Sequence, residues 1–384
     1  MHVVNTWNER VLNDIATCFS GGTPSAKSKK YYGGNIPFIR SGEINKSSTE
    51  LFITEDGLDN SSAKMVKRGD ILFALYGATS GEVGISKING AINQAVLAIN
   101  PIQKDDPYLI TQWLKRQKKI ITGTYLQGGQ GNLSASIVKK LIISLSRNLS
   151  EQKKVSDFFK TIDNLIAANQ RKLELLNQLK KGFIRRIINQ ELRFKEFPDA
   201  WKDHTLGSFI IEYSGKTKIN NQYPILTSSR KGLFLQMDYY GGHQIASKNN
   251  IGYNIVPRGY FTYRHMSDDE VFKFNINELV DYGIVSTLYP VFKTTSALNP
   301  YFLQYLLNYG DTFKRYALIQ KQGGSRTYMY LKKLKKLKLM FPGINEQIRI
   351  RDLLQNIDGL IVKFGSKIDA FKMQKQSLLQ KMFI

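Results

Sequence analysis

Histidine and cysteine, the side chains most often used for metal binding and nucleophilic catalysis, are rare in this chain. The four histidines, His2, His204, His243 and His265, are too scattered to form a zinc site or a His-Glu-x-x-His motif. The single cysteine, Cys18, excludes an internal disulfide and fits a reducing compartment. We therefore expect no metal site in this chain and a cytoplasmic location.

Three other catalytic motifs are incomplete. Residues 77–84 are glycine-rich but lack the Gly-Lys-Ser/Thr of a nucleotide-binding P-loop. Asp106-Pro107-Tyr108 and Asn299-Pro300-Tyr301 lack the second proline of the Asn/Asp-Pro-Pro-aromatic loop of amino-methyltransferases. The triplet Glu151-Gln152-Lys153 has the Glu-x-Lys pattern of metal-dependent nucleases, but it lies where a helix is predicted to begin. The sequence therefore predicts a binding protein with no catalytic residue and no cofactor site of its own.

The net charge favours a polyanionic ligand. The chain has 55 Lys and Arg residues against 31 Asp and Glu, which gives +24, and the excess runs through both halves. A basic surface of this extent suits DNA or RNA better than a small acidic substrate, although basicity kept for solubility alone is the alternative. There is no apolar run of about 18 residues and no export leader, so a membrane location is not expected.

The candidate nucleic-acid contacts are basic, aromatic, polar and glycine-rich positions predicted to lie on loops. Lysines beside tyrosines suit phosphate contacts, glycines let the backbone approach a phosphate, and arginine or polar tips can pair with guanine. Each position taken alone is also compatible with an ordinary solvated loop. The candidates are Lys27, Lys29, Lys30, Tyr31, Arg40, Ser41, Tyr76, Thr79, Gly128, Gly129, Gln130, Ser229, Arg230, Arg264, His265, Gly323, Gly324, Ser325 and Arg326.

The elements that must position these residues are duplicated. A segment that opens at Ser150-Glu151-Gln152 returns without a gap at Asn345-Glu346-Gln347, a shift of 195 positions (346 − 151). This period is far too long for a solenoid, whose units run about 20–50 residues. We infer that one half-molecule was copied, which predicts pseudo-two-fold symmetry and either two similar ligands or one ligand with two similar ends.

The duplicated segment is predicted to form a long helix, with Ser150 and Asn345 as N-caps. Its seam residues are spaced alternately by four and three, as in a coiled coil, over about four heptads in each copy. The two helices most simply pair with each other in antiparallel fashion; the alternative is that each covers only its own domain. The seams are Ile162, Ile166, Asn169, Leu173, Leu176, Lys180, Phe183 and Ile187, and Ile357, Ile361, Phe364, Ile368, Phe371, Lys375, Leu378 and Met382.

The remaining segments are of a different kind, rich in Gly, Tyr, Phe, Asn and Ser with short β-type runs. We predict an α+β protein in which two mixed α/β domains, residues 1–149 and 196–344, are separated by two long helices. Those helices, in residues 150–195 and 345–384, pair as an antiparallel coiled coil with pseudo-two-fold symmetry. In this coiled coil Lys180 and Lys375 are unusual seam residues, which would either fix the register or extend to the edges.

Several of these motifs resemble the specificity subunit of type I restriction-modification enzymes. The resemblance spans the whole chain and is weaker within residues 207–315. In the first domain it lies in Gly21-Gly22-Thr23-Pro24-Ser25, in residues 36–43, in Gly69-Asp70-Ile71-Leu72, in Gly77-Ala78-Thr79 and in Asn93-Gln94-Ala95. The helix starts, residues 149–152 and 344–347, resemble the two conserved regions of that family.

The resemblance implies a function and a set of partners. Each domain would be a target recognition domain that binds one half of a split DNA sequence in adjacent major grooves. The helix pair would fix the spacer and dock two methyltransferase subunits, which bind S-adenosylmethionine and methylate adenine. Restriction and translocation subunits would use ATP and Mg²⁺, and this chain would not be an enzyme by itself. The alternatives are a detached recognition module of a nuclease or methyltransferase, and a protein that binds nucleic acid without sequence preference.

Overall fold

The computed structural model describes residues 7–125, 132–243, 245–321 and 326–382. Six candidate contacts, Gly128, Gly129, Gln130, Gly323, Gly324 and Ser325, lie outside the described residues. The chain divides into two compact units, Met1–Ala168 with Ile368–Ile384, and Asn169–Lys367. Each unit contains one globular domain and a part of each long helix.

The first domain is built from short strands and helices that precede the first long helix. Its strands are β1 (Trp7–Val11), β2 (Ala16–Ser20), β3 (Tyr32–Ile39), β4 (Phe52–Ile53), β5 (Lys64–Val66), β6 (Ile71–Ala74), β7 (Val83–Ile85), β8 (Gly90–Ile92), β9 (Val96–Pro101) and β10 (Ile142–Ser146). The helices are α1 (Leu12–Ile15), α2 (Glu55–Asp59), α3 (Pro107–Tyr125), α4 (Ala135–Lys139) and the long helix α5 (Leu149–Ile188).

Two four-stranded sheets form the first domain. One has the order β2-β9-β6-β7 and is antiparallel throughout. The other has the order β4-β3-β8-β5, in which β3 and β8 run parallel. All four residues of β6 are buried, as expected of a central strand made of a continuous apolar run. Its Phe73 belongs to the same buried core cluster as Trp113 of α3 and Phe159 of α5, so the core of this domain extends onto the long helix.

The second domain precedes the second long helix. Its strands are β11 (Lys202–Thr205), β12 (Ile210–Glu212), β13 (Leu226–Ser229), β14 (Gly232–Leu235), β15 (Asn254–Pro257), β16 (Phe261–Thr262), β17 (Met266–Ser267), β18 (Asn275–Ile276), β19 (Tyr282–Val285), β20 (Val291–Thr294), β21 (Thr327–Tyr328) and β22 (Lys338–Phe341). The helices are α6 (Gln236–Tyr239), α7 (Pro300–Tyr309), α8 (Asp311–Ile319), α9 (Leu331–Leu334) and the long helix α10 (Ile344–Met382).

An aromatic core holds the second domain together. Its four-stranded sheet has the order β12-β20-β16-β18, and Phe261 and Phe292 from neighbouring strands stack with ring centroids 4.7 Å apart. Trp201 meets Phe302 of α7 edge to face at 5.9 Å. Ile184 of α5 joins this core, so the second domain also packs on a long helix.

Both domains are closed in the same way. The first strand pairs antiparallel with the last, β1 with β10 and β11 with β22, and the last strand leads directly into a long helix. A buried glutamine in the first turn of each helix then binds the domain. Gln152 accepts the N–H of Asp106 at 2.8 Å and donates to the Ser146 carbonyl at 2.7 Å. Its duplicate Gln347 accepts the N–H of Asn299 at 2.8 Å.

The predicted helix caps need correction. Helix α5 begins at Leu149, and the Asn148 side chain accepts the N–H groups of Ser150 and Glu151 at 3.0 and 3.2 Å. Ser150 therefore lies inside the helix, and the cap is two residues earlier. Helix α10 begins at Ile344, which likewise places Asn345 inside the first turn. The Asn148 side chain satisfies these N–H groups as well as a serine would. Residue type alone therefore did not show which of Asn148 and Ser150 is the N-cap.

The seam of the two long helices matches its prediction. All sixteen seam positions are buried or half-buried, including Ile162, Ile166, Leu173, Leu176, Ile357, Ile361, Phe364 and Ile368. Leu360, one position outside the seam, is exposed. In the first unit Lys375 contacts Asp163, and in the second Lys180 contacts Asp358. In both cases a residue early in one helix meets a residue late in the other, so the predicted antiparallel pairing and the α+β fold class are confirmed.

Candidate nucleic-acid interface

The first group of candidates lies on the segment that leads into β3. Lys27 and Lys29 are exposed, and Tyr31 is half-buried. Lys30 forms an exposed ion pair with Asp56 at 3.0 Å, and its ammonium lies 5.1 Å from the centre of the Tyr31 ring. The hydrogen bond and charge of Asp56 raise the pKa of Lys30, so this side chain is a cation at any physiological pH. The segment presents a basic surface to solvent.

Arg40 follows β3 and is held by two carboxylates. Its Nε and Nη2 donate to Glu43 at 3.1 Å each, and Nη2 also donates to Glu50 at 3.0 Å. Burial by itself would raise the pKa of Glu43, but hydrogen bonds from Arg40 and from the N–H of Glu50 outweigh it and lower this pKa to about 2. Among described residues Nη1 of Arg40 has no hydrogen bond. The orientation of this guanidinium is thus fixed while one edge remains available.

The two turns that carry Ser41 and Thr79 lie close to each other. They are short 3-10 turns, residues 41–43 and 77–79, that contact each other. Both residues are half-buried, as is Tyr76, whose backbone pairs with Asn132. Gly77 opens the second turn with a φ of +79°, a conformation that glycine adopts without strain. Arg40 therefore stands beside polar turns drawn from two separate segments.

In the second domain Ser229, Arg230 and Arg264 line one polar cleft of about 210 Å³, together with Tyr240 and Tyr289. Arg230 lies in the turn between β13 and β14 and binds Asp269 through two hydrogen bonds of 2.8 and 2.5 Å. The hydrogen bonds from Arg230 and from a nearby serine hydroxyl lower the pKa of Asp269 to about 2. This pair is exposed and stays ionised at neutral pH.

Arg264 differs from the other arginines of this surface. Its side chain is exposed and makes no hydrogen bond or ion pair with any residue that the structure describes. Burial raises the pKa of the neighbouring Tyr289, and the positive charge of Arg264 opposes that rise. Arg264 therefore offers a complete guanidinium at the edge of the cleft.

His265 does not lie at an exposed tip as predicted. It is buried, its Nδ1 lies 2.6 Å from the Leu288 carbonyl, and its ring stacks on Tyr330 at 4.8 Å. Of the two candidate contacts, the structure therefore places the Arg264 side chain at the surface and the His265 side chain in the interior. Successive side chains of an extended chain point to opposite faces, so one of two neighbours turns inward.

A pair of exposed tyrosines was missed. Arg326 is exposed and donates to Asp268 at 2.8 Å, and it is followed by Tyr328 and Tyr330, which are 37% and 49% exposed. Their rings stack at 5.8 Å, nearly parallel. Met329 between them is fully buried, so the two rings lie on one face of the extended segment, but a strand of two residues is too short for this alternation to be recognised in the sequence.

The motifs that resembled catalytic loops have structural roles. Asp106 caps helix α3 by accepting the N–H of Tyr108 at 2.8 Å, and Asn299 caps α7 in the same way at 3.1 Å. Glu151 accepts hydrogen bonds from Trp7 at 3.2 Å and from a serine hydroxyl. Within the described ranges no group of three or more His, Cys, Asp or Glu residues is placed to hold a metal ion.

None of the described helices combines the length and the apolar composition that crossing a bilayer requires.

Comparison with known sequences finds similarity to one family in particular. Residues 5–178 match the family model described as the type I restriction modification DNA specificity domain. The MjaVIII specificity subunit of Methanocaldococcus jannaschii is 24% identical over 94% of this chain and 88% of its own length. The MjaIX subunit of the same organism is 29% identical over 54% of this chain, and the chain spans about half of that relative, 52%. The HindI subunit of Haemophilus influenzae is 28% identical over 48% of this chain and 42% of its own length.

Solved structures share the fold over the whole chain. A type I restriction-modification S subunit from M. genitalium superposes with a TM-score of 0.64 at 13% identity, covering 100% of this chain and 98% of that one. A chain from a study of complex assembly in a type I system gives 0.57 at 12% identity, covering 98% and 97%. The matched domain, the relative aligned over 94% of this chain and the common fold agree in one respect: the chain is similar to type I restriction-modification specificity subunits.

Proposed function

We propose that this chain recognises a bipartite DNA sequence as the specificity subunit of a type I restriction-modification complex. The observation that carries the proposal is that the paired helices and the Gln152 and Gln347 contacts recur in both halves, whereas the exposed side chains of the domains differ. Helices that repeat, together with two domains whose exposed side chains differ, suit a DNA target made of two different half-sites. The matched DNA specificity domain supports the same conclusion.

Within this proposal, residues 1–149 and 196–344 are the reading domains. Residues 150–195 and 345–384 carry the helices that fix the spacer between the half-sites. The first reading domain contacts DNA through the Lys27–Arg40 side of its sheet and through the turns of Ser41 and Thr79. The second reading domain contacts DNA through the cleft of Ser229 and Arg264, and residues 323–326 contact the DNA phosphates.

The paired arginines are suited to exchange partners on binding. Arg230 and Arg326 are each held in a defined orientation by one exposed carboxylate, and Arg40 is held by the exposed Glu50 and the buried Glu43. Exposed ion pairs contribute only about 0–1 kcal/mol, so replacing the carboxylate by a phosphate or a guanine edge costs little. Arg264 needs no such exchange, which makes it the strongest candidate for reading a base.

The catalytic steps belong to partner subunits in this proposal. Two methyltransferase subunits that bind S-adenosylmethionine dock on the long helices, and restriction subunits use ATP and Mg²⁺. Exposed apolar side chains on the helix surfaces support a docking role, because such groups are usually covered in an assembly. They include Leu175, Leu179, Val362 and Met373. The complex acts on DNA in the cytoplasm.

The test is selection of bound sequences from a random DNA pool, using the full chain with its co-expressed methyltransferase subunits. We expect a single bipartite sequence with two specified parts and an unspecified spacer. Adding S-adenosylmethionine should methylate adenine in that sequence only when the partner subunits are present.

Two outcomes would overturn the proposal. Methyl transfer or cleavage by the purified chain alone, with Mg²⁺ and S-adenosylmethionine, would make it an enzyme. Tight binding to all sequences alike, with no second subunit recovered, would make it a protein that coats nucleic acid.

A further inference from the structure

Three side chains from three helices meet in the first unit. The Tyr108 hydroxyl of α3 donates to Asp163 of α5 at 2.6 Å. The ammonium of Lys375, on α10, donates to both oxygens of the same carboxylate at 2.6 and 2.8 Å and lies 5.5 Å from the centre of the Tyr108 ring. We call these three residues the first cluster.

The second unit contains the same arrangement. The Tyr305 hydroxyl of α7 donates to Asp358 of α10 at 2.7 Å, and Lys180 of α5 donates to the other oxygen of that carboxylate. The ammonium of Lys180 lies 5.4 Å from the centre of the Tyr305 ring. These residues form the second cluster.

The two clusters are related by the duplication, and the relation is reciprocal. Asp163 and Asp358 are copies of each other, and so are Lys180 and Lys375. Each aspartate binds the copy of the lysine that lies on its own helix, which is the pattern of a two-fold interface. The seam lysines, which the sequence analysis expected either to fix the register or to extend to the edges, are therefore the partners of these carboxylates.

The tyrosines do not follow the duplication. By its position after the proline, Tyr108 corresponds to Tyr301, but Tyr301 binds Glu278 at 2.5 Å instead. The second cluster uses Tyr305, one helical turn farther along α7. The same contact is thus built from a different position of the domain helix, which points to a requirement for the contact itself.

Each domain is consequently fixed to its long helix at two points. Gln152 binds the first domain at the start of α5, and Asp163 binds it eleven residues later, roughly 16 Å along the axis. Gln347 and Asp358 have the same spacing on α10. Together with the apolar core that extends onto the helix, two polar attachments define the orientation of the domain about the helix more closely than one would.

The clusters are well suited to hold such an orientation. Both lysine side chains are largely buried, 16% and 15% exposed. Burial and the hydrogen bond to aspartate raise the pKa of Tyr108 and of Tyr305, so both hydroxyls remain donors throughout the physiological range. A cluster is complete only when the two long helices are paired, because its lysine comes from the other helix.

We propose that Asp163 and Asp358, with their tyrosine and lysine partners, are positioning residues that set which spacer lengths the chain accepts between its half-sites. By coupling helix pairing to the orientation of each reading domain, they determine where the second half-site must lie once the first is bound. This inference rests on the proposed function, and it assigns the spacer to particular side chains.

The experiment uses Asp163→Asn and Tyr108→Phe for the first cluster, and Asp358→Asn and Tyr305→Phe for the second. Asp157→Asn and Asp369→Asn are matched controls, since they remove exposed carboxylates from the same two helices that make no side-chain hydrogen bond with described residues. Binding of the full chain, with its co-purified subunits, is measured on duplexes that carry both half-sites with spacers differing by single base pairs. The affinity for each half-site alone is measured in parallel.

We expect each cluster variant to reduce the preference for the cognate spacer over one longer or shorter by one base pair about tenfold. The affinity for an isolated half-site should not change, and the controls should behave as the original chain. The phenylalanine variants remove only one oxygen atom each. They therefore still test the inference if an asparagine variant fails to fold.

Folded cluster variants that retain the original spacer preference would overturn the inference. An equal loss on isolated half-sites and on full sites would also overturn it, because the clusters would then be merely structural. If the unaltered chain shows no bipartite preference at all, the proposed function fails before the variants are considered.

Discussion

Arginine side chains at the candidate interface differ in the number of carboxylates that they contact. Arg40 contacts Glu43 and Glu50, and Arg230 and Arg326 contact Asp269 and Asp268, respectively. These carboxylates neutralise part of the positive charge of the surface and hold each guanidinium in place. An oriented guanidinium favours a particular acceptor geometry, whereas Arg264, which has no partner among the described residues, has all its donors available for a guanine edge.

Arg264→Ala should weaken binding to the specific sequence more than binding to random DNA. A guanidinium that reads guanine contributes roughly 1–3 kcal/mol of discrimination, which random DNA does not provide. Competition binding at fixed salt measures the two affinities. Arg258→Ala is the control, since Arg258 is also exposed but already binds Asp281 at 2.9 Å. Equal losses on both DNAs would make Arg264 a phosphate contact.

Glu43→Gln should reduce stability in a pH-dependent manner. The pKa of Glu43 is about 2 in the folded protein and near its ordinary value of 4.5 when unfolded. Because the folded pKa is the lower one, the ionised carboxylate stabilises the fold above about pH 5, and this contribution is lost as the pH falls towards 2. At neutral pH we expect a loss of about 2–3 kcal/mol. Urea unfolding of both proteins at a series of pH values measures it, and a difference that stays constant down to pH 2 would contradict the assignment.

At the scale of elements, the two long helices have a dual role. Phe159 and Ile162 of α5 enter the core of the first domain, and Ile184 and Ile187 enter the core of the second. The seam that pairs the helices and the faces that pack on the domains therefore share the same stretches of chain. The alternative that each helix covers its own domain is true as well, but it does not replace the pairing.

Lengthening both helices by one heptad should lengthen the accepted spacer. Seven residues inserted between Asn169 and Leu173, and seven between Phe364 and Ile368, keep the seam continuous. The added length is roughly 10 Å, or about three base pairs at 3.4 Å each. The measurement is selection of bound DNA with variable spacers.

A four-residue insertion in α5 alone is the contrasting variant. It shifts the α5 seam relative to α10, so we expect loss of helix pairing and of assembly rather than a new spacer. An unchanged recognition sequence in the heptad variant would refute the idea that the helices measure the spacer.

At the scale of the whole molecule, we expect the net charge of +24 to govern the proposed association with DNA. Binding should weaken steeply with salt, because each neutralised phosphate releases a condensed counterion. A chain that makes about 6–10 phosphate contacts would lose roughly 10³–10⁵ in affinity between 50 and 200 mM salt. Titrations at four salt concentrations give the slope. An affinity that hardly changes with salt would exclude extensive contact with DNA phosphates. If random DNA gives the same slope, the salt-dependent part of the binding is the non-specific part.

Periodic and repeated features could be predicted from the sequence by itself. The duplication, the seam from Ile162 to Ile187 and its copy from Ile357 to Met382 depend on spacing along the chain, and helix geometry converts that spacing directly into a buried face. The α+β class followed in the same way from short β-type runs between the helical segments. The burial of His265 and the exposure of Tyr328 and Tyr330 were harder to predict, because strands of two residues give too little alternation for a pattern to establish a face.

Contacts between residues far apart in sequence were decided only by the tertiary structure. Nothing local indicates that Asp163 binds Tyr108 and Lys375, or that the second cluster takes Tyr305 in place of Tyr301. The same holds for the pairing of Arg230 with Asp269, and for the lack of a carboxylate partner of Arg264 among the described residues. The physical reason is that such contacts depend on which surfaces meet after folding, whereas a sequence pattern specifies only which side of its own helix or strand a residue occupies.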